Sequence, residues 1–273
     1  MTAFLARRER FDRVASTNDV VRAWLAEGIE EVCLAVADEQ TAGRGRAGRS
    51  WIAPSGAALL LSLGFRPIWL EPARAWRLAA VTALAMAEAA ETVSGLPDGA
   101  IRLKWPNDLV LEQAGSDSER VVRKLAGLLG ETDGLGSPDP RVVVGLGINA
   151  DWPAERFPPE LAGAMTSLRE ASHGRPVDSA RLLDAFLGRI ENGVGALGAG
   201  DFDGDSWRER QLTTGRMVRL ETPEGSETVR AIGVDTLTGA LIVEDEAVPG
   251  AERRVVVGEI RHVRLAAPVG ARV

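Results

Sequence analysis

One loop of the chain reads Gly43-Arg44-Gly45-Arg46-Ala47-Gly48-Arg49-Ser50-Trp51, and it constrains the fold more than any other stretch. Three glycines alternate with three arginines in it. Glycine-rich backbone loses much conformational entropy when it becomes ordered, and clustered guanidiniums repel one another until an anion joins them. Backbone N–H groups beside guanidinium forks suit a phosphate oxyanion. We therefore predict that this arginine loop, residues 43–51, closes over a phosphorylated ligand.

Two familiar phosphate-binding patterns nearly fit the same residues. Gly43, Gly45 and Gly48 satisfy the dinucleotide-binding pattern G-x-G-x-x-G, and residues 43–50 match the P-loop pattern except that Arg49 replaces its lysine. Both patterns require a helix directly after the loop, because the helix N-terminus holds the phosphate. A turn-rich run and then an apolar strand follow here. The sequence argues against both folds, and for the loop alone it leaves open a solvated basic loop without a ligand.

Global composition fits a soluble enzyme. The chain has 273 residues, of which 45% are hydrophobic, enough for one large domain and a small one. A net charge of −7 argues against general affinity for nucleic acid. The single cysteine, Cys33, excludes an internal disulfide framework and is predicted to be a core thiol. With no long uncharged apolar run and no signal-peptide core, we expect a cytoplasmic protein with no membrane partner.

The pattern over residues 1–213 predicts an α+β catalytic domain, with clustered strands and helices packed on one side of them. Strands are expected over 31–37, 57–65, 101–105, 109–112, 121–131 and 142–149. Helices are expected over 17–27, 73–93, 177–197 and 202–212. From residue 214 to 273 short alternating strands separated by turns predict a small β-barrel, with strands over 217–221, 228–234, 240–244 and 253–265.

Four further motifs accompany the arginine loop in a fixed order. They are Ser16-Thr17-Asn18, Lys104-Trp105-Pro106-Asn107-Asp108, Lys124-Leu125-Ala126-Gly127-Leu128-Leu129-Gly130-Glu131 and Gly145-Leu146-Gly147-Ile148-Asn149. With these motifs, the chain from about Ser16 to Asn149 resembles the biotin protein ligases, which activate biotin with ATP and attach it to a carrier lysine. The resemblance implies a mixed sheet with helices packed on it, similar to class II aminoacyl-tRNA synthetases, and a C-terminal SH3-like β-barrel.

The resemblance also implies roles for individual residues. As catalytic residues it implies Lys124, Arg44 and Arg46. As biotin-binding residues it implies Ser16, Thr17, Asn18, Gln40, Arg44, Gly45, Arg46, Trp51, Lys124 and Gly127. As ATP-binding residues it implies Arg46, Arg49, Lys104, Asn107, Lys124 and Asn149, with Asp108 near magnesium.

Elementary chemistry agrees with several of these roles. Biotin and ATP are both anions, so fixed cations and precise positioning lower the main barrier, and no enzyme nucleophile is needed. A strand-borne ammonium such as that of Lys124 is better placed for this than one on a loop, although a lysine on an edge strand can also simply discourage aggregation. Short side chains such as those of residues 16–18 can read the donors and acceptor of biotin's ureido ring.

The implied substrates and partners follow from the family. They are biotin, ATP with Mg²⁺, and a biotin carboxyl carrier protein or domain of acetyl-CoA or related carboxylases. Only 15 residues precede Ser16, too few for a winged-helix domain, so we expect a monofunctional enzyme without a nucleic-acid partner, a monomer or weak homodimer. The tail departs from the family pattern after Gly258-Glu259-Ile260, because Val263 stands at the expected arginine and Arg264 follows it. No ATP contact is therefore assigned to the tail.

Two other functions compete with this one. A lipoate ligase shares the fold and the adenylate chemistry, and only the complete arginine loop favours biotin. A non-catalytic biotin sensor or repressor is opposed by the acidic charge and by the short N-terminus, although a separate DNA-binding partner stays open.

Overall fold

A computed structural model describes residues 4–114, 120–222, 225–244, 250–257 and 262–265. The helices are α1 (Thr17–Ala26), α2 (Trp76–Ser94), α3 (Leu168–Ala171), α4 (Ser179–Gly198) and α5 (Gly204–Glu209). The first seven strands are β1 (Arg7–Val14), β2 (Cys33–Gln40), β3 (Ala58–Phe65), β4 (Arg102–Lys104), β5 (Asp108–Ala114), β6 (Arg120–Asp133) and β7 (Arg141–Asn149). The last five are β8 (Met217–Glu221), β9 (Ser226–Val234), β10 (Leu241–Glu244), β11 (Glu252–Val255) and β12 (His262–Leu265). These elements confirm the predicted α+β class.

The larger sheet has seven strands in the order β1-β2-β3-β7-β6-β5-β4. β1 and β2 are parallel, and the remaining neighbours are antiparallel, so the sheet is mixed. Helices cover both faces, which corrects the prediction of helices on one side. Alternate residues of a strand point to opposite faces. Cys33 and Ala35 accordingly pack with α1, whereas Leu34 and Val36 belong to the core under α2 and α4.

The strand β1 was not predicted from the sequence. Six of its eight residues are charged, so it carries none of the apolar alternation that marks a half-buried strand. Backbone pairing with β2 holds it at the edge of the sheet, where charged side chains are normal. The prediction for Cys33 on the neighbouring strand is confirmed: the thiol is buried, and burial raises its pKa to about 11.

The C-terminal strands form a second sheet in the order β11-β10-β9-β8-β12. The prediction of one strand over 253–265 is wrong. Val256 and Val257 leave the strand, and β11 and β12 lie at opposite edges of the sheet. In the ranges that the structure describes these two edges are not paired, so the sheet is open there. Gly258, Glu259 and Ile260 lie outside the described residues.

The two sheets are joined through residues 210–213. The predicted helix over 202–212 is shorter than expected, because α5 ends at Glu209 and the chain then runs beside β4. The backbone N–H of Leu103 donates to Arg210, and that of Leu212 donates to Leu103. The Thr213 hydroxyl accepts from the N–H of Trp105 at 2.9 Å. This connection therefore holds the turn that carries residues 104–108. Within the described ranges, no helix is long and apolar enough to cross a membrane.

Candidate active site

A cavity of about 290 Å³ lies on the α1 face of the larger sheet. It brings together thirteen of the fifteen predicted site residues: Ser16, Thr17, Asn18, Gln40, Arg44, Gly45, Arg46, Arg49, Trp51, Asn107, Lys124, Gly127 and Asn149. The other two, Lys104 and Asp108, line an adjoining groove of about 1070 Å³ that reaches the C-terminal sheet. Motifs that are far apart in the sequence thus surround one continuous space. Their roles toward a ligand stay predictions at this point.

One carboxylate, that of Asp108, lies among several cations. Oδ1 of Asp108 is 2.6 Å from Nζ of Lys124, and Oδ2 is 3.7 Å from Nζ of Lys104. Burial lowers the pKa of Lys104, and the charges of Lys124 and Arg49 add to this while Asp108 opposes it. Burial and the neighbouring Arg49 likewise lower the pKa of Arg46. The site therefore carries a local excess of positive charge, although the chain as a whole is acidic.

Two arginines of the arginine loop, Arg44 and Arg46, join it to other parts of the chain by hydrogen bonds. No helix follows it, since β3 begins at Ala58, and this confirms the argument against a P-loop or a Rossmann motif. The Arg44 guanidinium binds both oxygens of Asp19 at 2.7 and 2.8 Å, and this contact is the main cause of the lowered Asp19 pKa. Nη2 of Arg46 donates to the carbonyl of Val257 at 3.0 Å, and Nε of Arg49 donates to the carbonyl of Arg46.

Trp51 packs against the larger sheet at the side of the cavity. Gly127 and Gly147 are paired across β6 and β7, and a Cβ atom at either position would lie within 3.2 Å of the indole. The indole N–H is buried and finds no hydrogen-bond acceptor among the described residues. Nζ of Lys124 is 5.5 Å from the ring centroid. The two glycines thus leave room for an aromatic ring of the protein itself.

The opposite end of the cavity is polar and buried. The N–H and hydroxyl of Thr17 both donate to Oε1 of Gln40, at 2.7 and 3.0 Å. Nδ2 of Asn18 donates to Oε2 of Glu131 at 2.8 Å. Ser16 is the N-cap residue of α1 but makes no side-chain capping hydrogen bond, so its hydroxyl is not committed to that role. These side chains offer both donors and acceptors within a few ångströms.

The two predicted nucleotide-binding amides are engaged with backbone. Nδ2 of Asn107 donates to the carbonyl of Leu128 at 2.6 Å, and Nδ2 of Asn149 donates to that of Thr166 at 2.9 Å. Each amide oxygen keeps acceptor capacity for a ligand. The segment that carries Thr166 also pairs with the backbone of Lys124. Met165 of this segment and Trp152, which follows β7, also line the cavity. Neither was identified from the sequence, because neither belongs to a polar motif.

Asp108 fits a magnesium ion only in company with phosphate. Magnesium is usually held by one or two carboxylates plus substrate phosphate oxygens and water. Among the described residues no group of three metal-ligating side chains occurs. The single carboxylate of Asp108, already beside two ammoniums, therefore fits an ion that arrives with a nucleotide and not a resident metal centre.

The sequence pattern of the biotin/lipoate A/B protein ligase family matches residues 10–149. The chain belongs to this family. A family relative, the biotin--[acetyl-CoA-carboxylase] ligase of Mycobacterium tuberculosis, is 35% identical over 223 residues, which cover 80% of this chain and 75% of that protein. The bifunctional ligase/repressor BirA of Bacillus subtilis is 30% identical over 236 residues, or 85% of this chain and 68% of that protein.

Solved structures of the family agree with the fold. The biotin protein ligase from Aquifex aeolicus in complex with biotin and ATP is similar with a TM-score of 0.74 and 26% sequence identity. The match covers 97% of this chain and all of that one. The fold implied by the resemblance is therefore confirmed for the mixed sheet and its helices.

Proposed function

We propose that this chain is an ATP-dependent biotin protein ligase. It activates biotin as biotinyl-5'-AMP and transfers the biotinyl group to one lysine of a biotin carboxyl carrier protein or domain. The observation that carries this proposal is the arrangement of the cavity. A buried polar end suits a ureido ring, and a cluster of Lys124, Lys104, Arg46 and Arg49 around one carboxylate suits phosphates. The names and bound ligands of the similar proteins support the same activity.

The first half-reaction joins two anions. An oxygen of the biotin carboxylate attacks the α-phosphorus of ATP, the bond to the bridging oxygen breaks, and pyrophosphate leaves. Lys124 is proposed to leave its ion pair with Asp108 and to bind the biotin carboxylate and the α-phosphate instead. Its side chain lines the cavity between the polar end and the phosphate end. Such a fixed cation stabilises charge that builds up in the transition state. Magnesium, when it arrives with the nucleotide, would neutralise phosphate charge beside Asp108.

In the second half-reaction the carrier lysine replaces AMP. Its neutral ε-amine attacks the acyl carbon of the mixed anhydride, the bond from that carbon to the phosphate oxygen breaks, and the amine loses a proton. The described residues that line the cavity include no cysteine or histidine to act as a covalent carrier. We propose that the adenylate stays noncovalently bound until the carrier reaches it.

The remaining roles are assigned by position. Ser16, Thr17, Asn18 and Gln40 bind the biotin ring, with Gly45, Trp51 and Gly127 along its side. Arg44 closes the arginine loop through Asp19, whereas Arg46, Arg49 and Lys104 bind phosphates. Asn107 and Asn149 meet the nucleotide through their amide oxygens. The buried N–H of Trp51 gains an acceptor when ligand is bound.

Residues 214–273 are proposed to form a separate SH3-like domain that borders the phosphate end. Nζ of Lys104 donates to the carbonyl of Val263 at 2.8 Å, and Arg46 donates to that of Val257. Both acceptors are backbone atoms of the C-terminal part of the chain. This contact supports a role for that domain in holding two phosphate-binding cations, although it offers no arginine at the position of Val263.

A pyrophosphate exchange assay tests the proposal directly. The protein should return labelled pyrophosphate into ATP only when biotin is present, and lipoate in place of biotin should give no exchange above background. Exchange with lipoate at a comparable rate would favour the other activity of the family. Exchange with neither acid would contradict ligase chemistry.

A further inference from the structure

Ser62 is a buried polar residue that lies directly beneath the polar end of the cavity. It stands in β3, an eight-residue strand in which every position is buried. On the face toward α1 its neighbours along the strand are Leu60 and Gly64, and its partners across the sheet are Ala35 and Gly145. A serine is unusual in such surroundings, because a buried hydroxyl is costly unless it is hydrogen-bonded. Its contacts therefore indicate what it is for.

The hydroxyl of Ser62 contacts two predicted biotin-binding side chains at once. Its Oγ is 2.7 Å from Oγ1 of Thr17 and 2.6 Å from Oδ1 of Asn18. Ser62 is fully buried and does not line the cavity, so it can act on a ligand only through these neighbours. Together with the contact from Thr17 to Gln40, they form a continuous chain of four polar groups.

Contacts outside this series of four polar groups fix the orientation of the Gln40 and Asn18 amides. The backbone N–H of Thr17 donates to Gln40, so the Gln40 atom that faces Thr17 is its oxygen. The carboxylate of Glu131 accepts from the Asn18 amide nitrogen, so the Asn18 atom that faces Ser62 is also its oxygen. An ionised carboxylate accepts hydrogen bonds and cannot donate them. Neither amide can supply a proton to the chain of contacts.

The protons can then be counted. Three oxygen–oxygen contacts join Gln40, Thr17, Ser62 and Asn18, and only the two hydroxyls bring a proton to them. One contact therefore sets lone pairs against lone pairs, which is unfavourable in a buried site. A ligand N–H that donates to the Gln40 and Thr17 oxygens together supplies the missing proton at their contact, since both side chains line the cavity. The Thr17 proton can then turn to Ser62, and the Ser62 proton to Asn18.

We propose that Ser62 is a positioning residue that makes the cavity select a ring carrying an N–H donor. The inference rests on the proposed function and adds the reason for its substrate class. A ureido ring brings two N–H groups, whereas the dithiolane ring of lipoate brings none. A site left with unpaired polar atoms discriminates strongly against the ligand that cannot pair them. Ser62 thereby helps the site to discriminate between biotin and lipoate, the two acids that this ligase family uses.

Steady-state pyrophosphate exchange with Ser62→Ala tests the proposal, with Ser94→Ala as a matched control. Ser94 is also buried, but its hydroxyl makes no hydrogen bond among the described residues. It is the last residue of α2 and does not line the cavity. Ser62→Ala should raise the KM for biotin on the order of tenfold, the effect of one hydrogen bond, and leave the KM for ATP unchanged. Ser62→Cys, which keeps the shape but donates weakly, should fall between. Ser94→Ala should change neither KM.

A double-mutant cycle separates positioning from general structural damage. Because Ser62 acts through Thr17, Ser62→Ala should add little to the biotin KM of Thr17→Val. Fully additive effects, an unchanged biotin KM in Ser62→Ala, or an equal rise of both KM values would overturn the inference while leaving the ligase function in place. Wild-type protein without any biotin-dependent exchange would instead overturn the proposed function, and the inference with it.

Discussion

Nζ of Lys124 lies 2.6 Å from Oδ1 of Asp108, so a neighbouring carboxylate holds the proposed catalytic ammonium. Asp108 is paired with Gly127 across β5 and β6, which fixes this carboxylate beside the cavity. The ion pair keeps Lys124 oriented toward the place where two further anions must meet. In the proposed first half-reaction, Lys124 exchanges this partner for the biotin carboxylate and the α-phosphate.

Lys124→Ala should therefore abolish most adenylate formation and leave the fold intact. Removal of one group that stabilises transition-state charge typically costs on the order of a hundred- to a thousandfold in rate. Arg120→Ala, which removes an exposed cation from the same strand, serves as the control and should exchange pyrophosphate normally. Near-normal exchange in Lys124→Ala would remove Lys124 from the mechanism.

The KM for ATP should depend on pH through Lys104. Burial lowers the pKa of this lysine below its usual 10.5. As the pH rises through that lowered pKa, Lys104 loses its charge and the KM for ATP should rise, while the KM for biotin stays flat. Lys104→Arg should flatten the ATP profile, because a guanidinium stays protonated. An alkaline ATP profile that is the same in both proteins would assign the dependence to another group.

The same shift affects stability in the opposite sense: as the pH rises, ATP binding should weaken while the fold gains stability. Between the lowered pKa and 10.5 the unfolded chain binds more protons at Lys104 than the folded chain does. The contribution of this residue to the free energy of unfolding should therefore increase with pH across that window. Denaturant unfolding of wild type and Lys104→Met at two pH values within the window measures the difference.

Arg44 and Asp19 should behave as one unit that holds the arginine loop. Their bidentate contact joins the loop to α1. Arg44→Ala and Asp19→Ala should each speed cleavage of the loop by a non-specific protease, and the double variant should be no faster than either single one. Arg8→Ala, an exposed arginine on β1, provides the control. Different cleavage rates in the two single variants would mean that the contact does not hold the loop.

A methyl group added at Gly145 should disturb biotin binding through the side chain of Asn18. Its Cβ would overlap Oδ1 of Asn18, which contacts Ser62, while Nδ2 of the same amide donates to Glu131. Gly145→Ala should thus raise the KM for biotin more than the KM for ATP. Gly130→Ala is a matched control on the neighbouring strand, where a Cβ atom meets nothing within 4 Å. Similar KM values for the two variants would mean that the position of Asn18 is unimportant.

The sequence predicts well those elements whose apolar pattern is strong. β3, β7 and α2 were predicted within a few residues, since each presents a long buried face. β1 was not predicted because its charged residues show no apolar alternation, although its backbone pairs with β2. The C-terminal strand was predicted as one element because the apolar residues Val256 and Val257 continue its pattern, although the chain leaves the sheet there.

The motifs located the cavity but did not predict the hydrogen bonds between the side chains around it. The bond from Asn18 to Glu131 joins residues 113 positions apart, and no spacing rule connects them. Ser62 lay outside every motif, within a run of leucines that indicated only a strand. One signal was available: a single hydroxyl in an otherwise apolar buried strand requires a partner. Asp19, beside the Ser16-Thr17-Asn18 motif, gave no sign that it would bind Arg44.

Biotin transfer can be observed by mass spectrometry of a biotin carboxyl carrier domain after incubation with this protein, ATP, magnesium and biotin. One lysine of the carrier should gain the mass of one biotin less one water, and omission of ATP or biotin should prevent this. A carrier of unchanged mass, under conditions in which the protein is folded and a known biotin ligase modifies the same carrier, would overturn the proposed function.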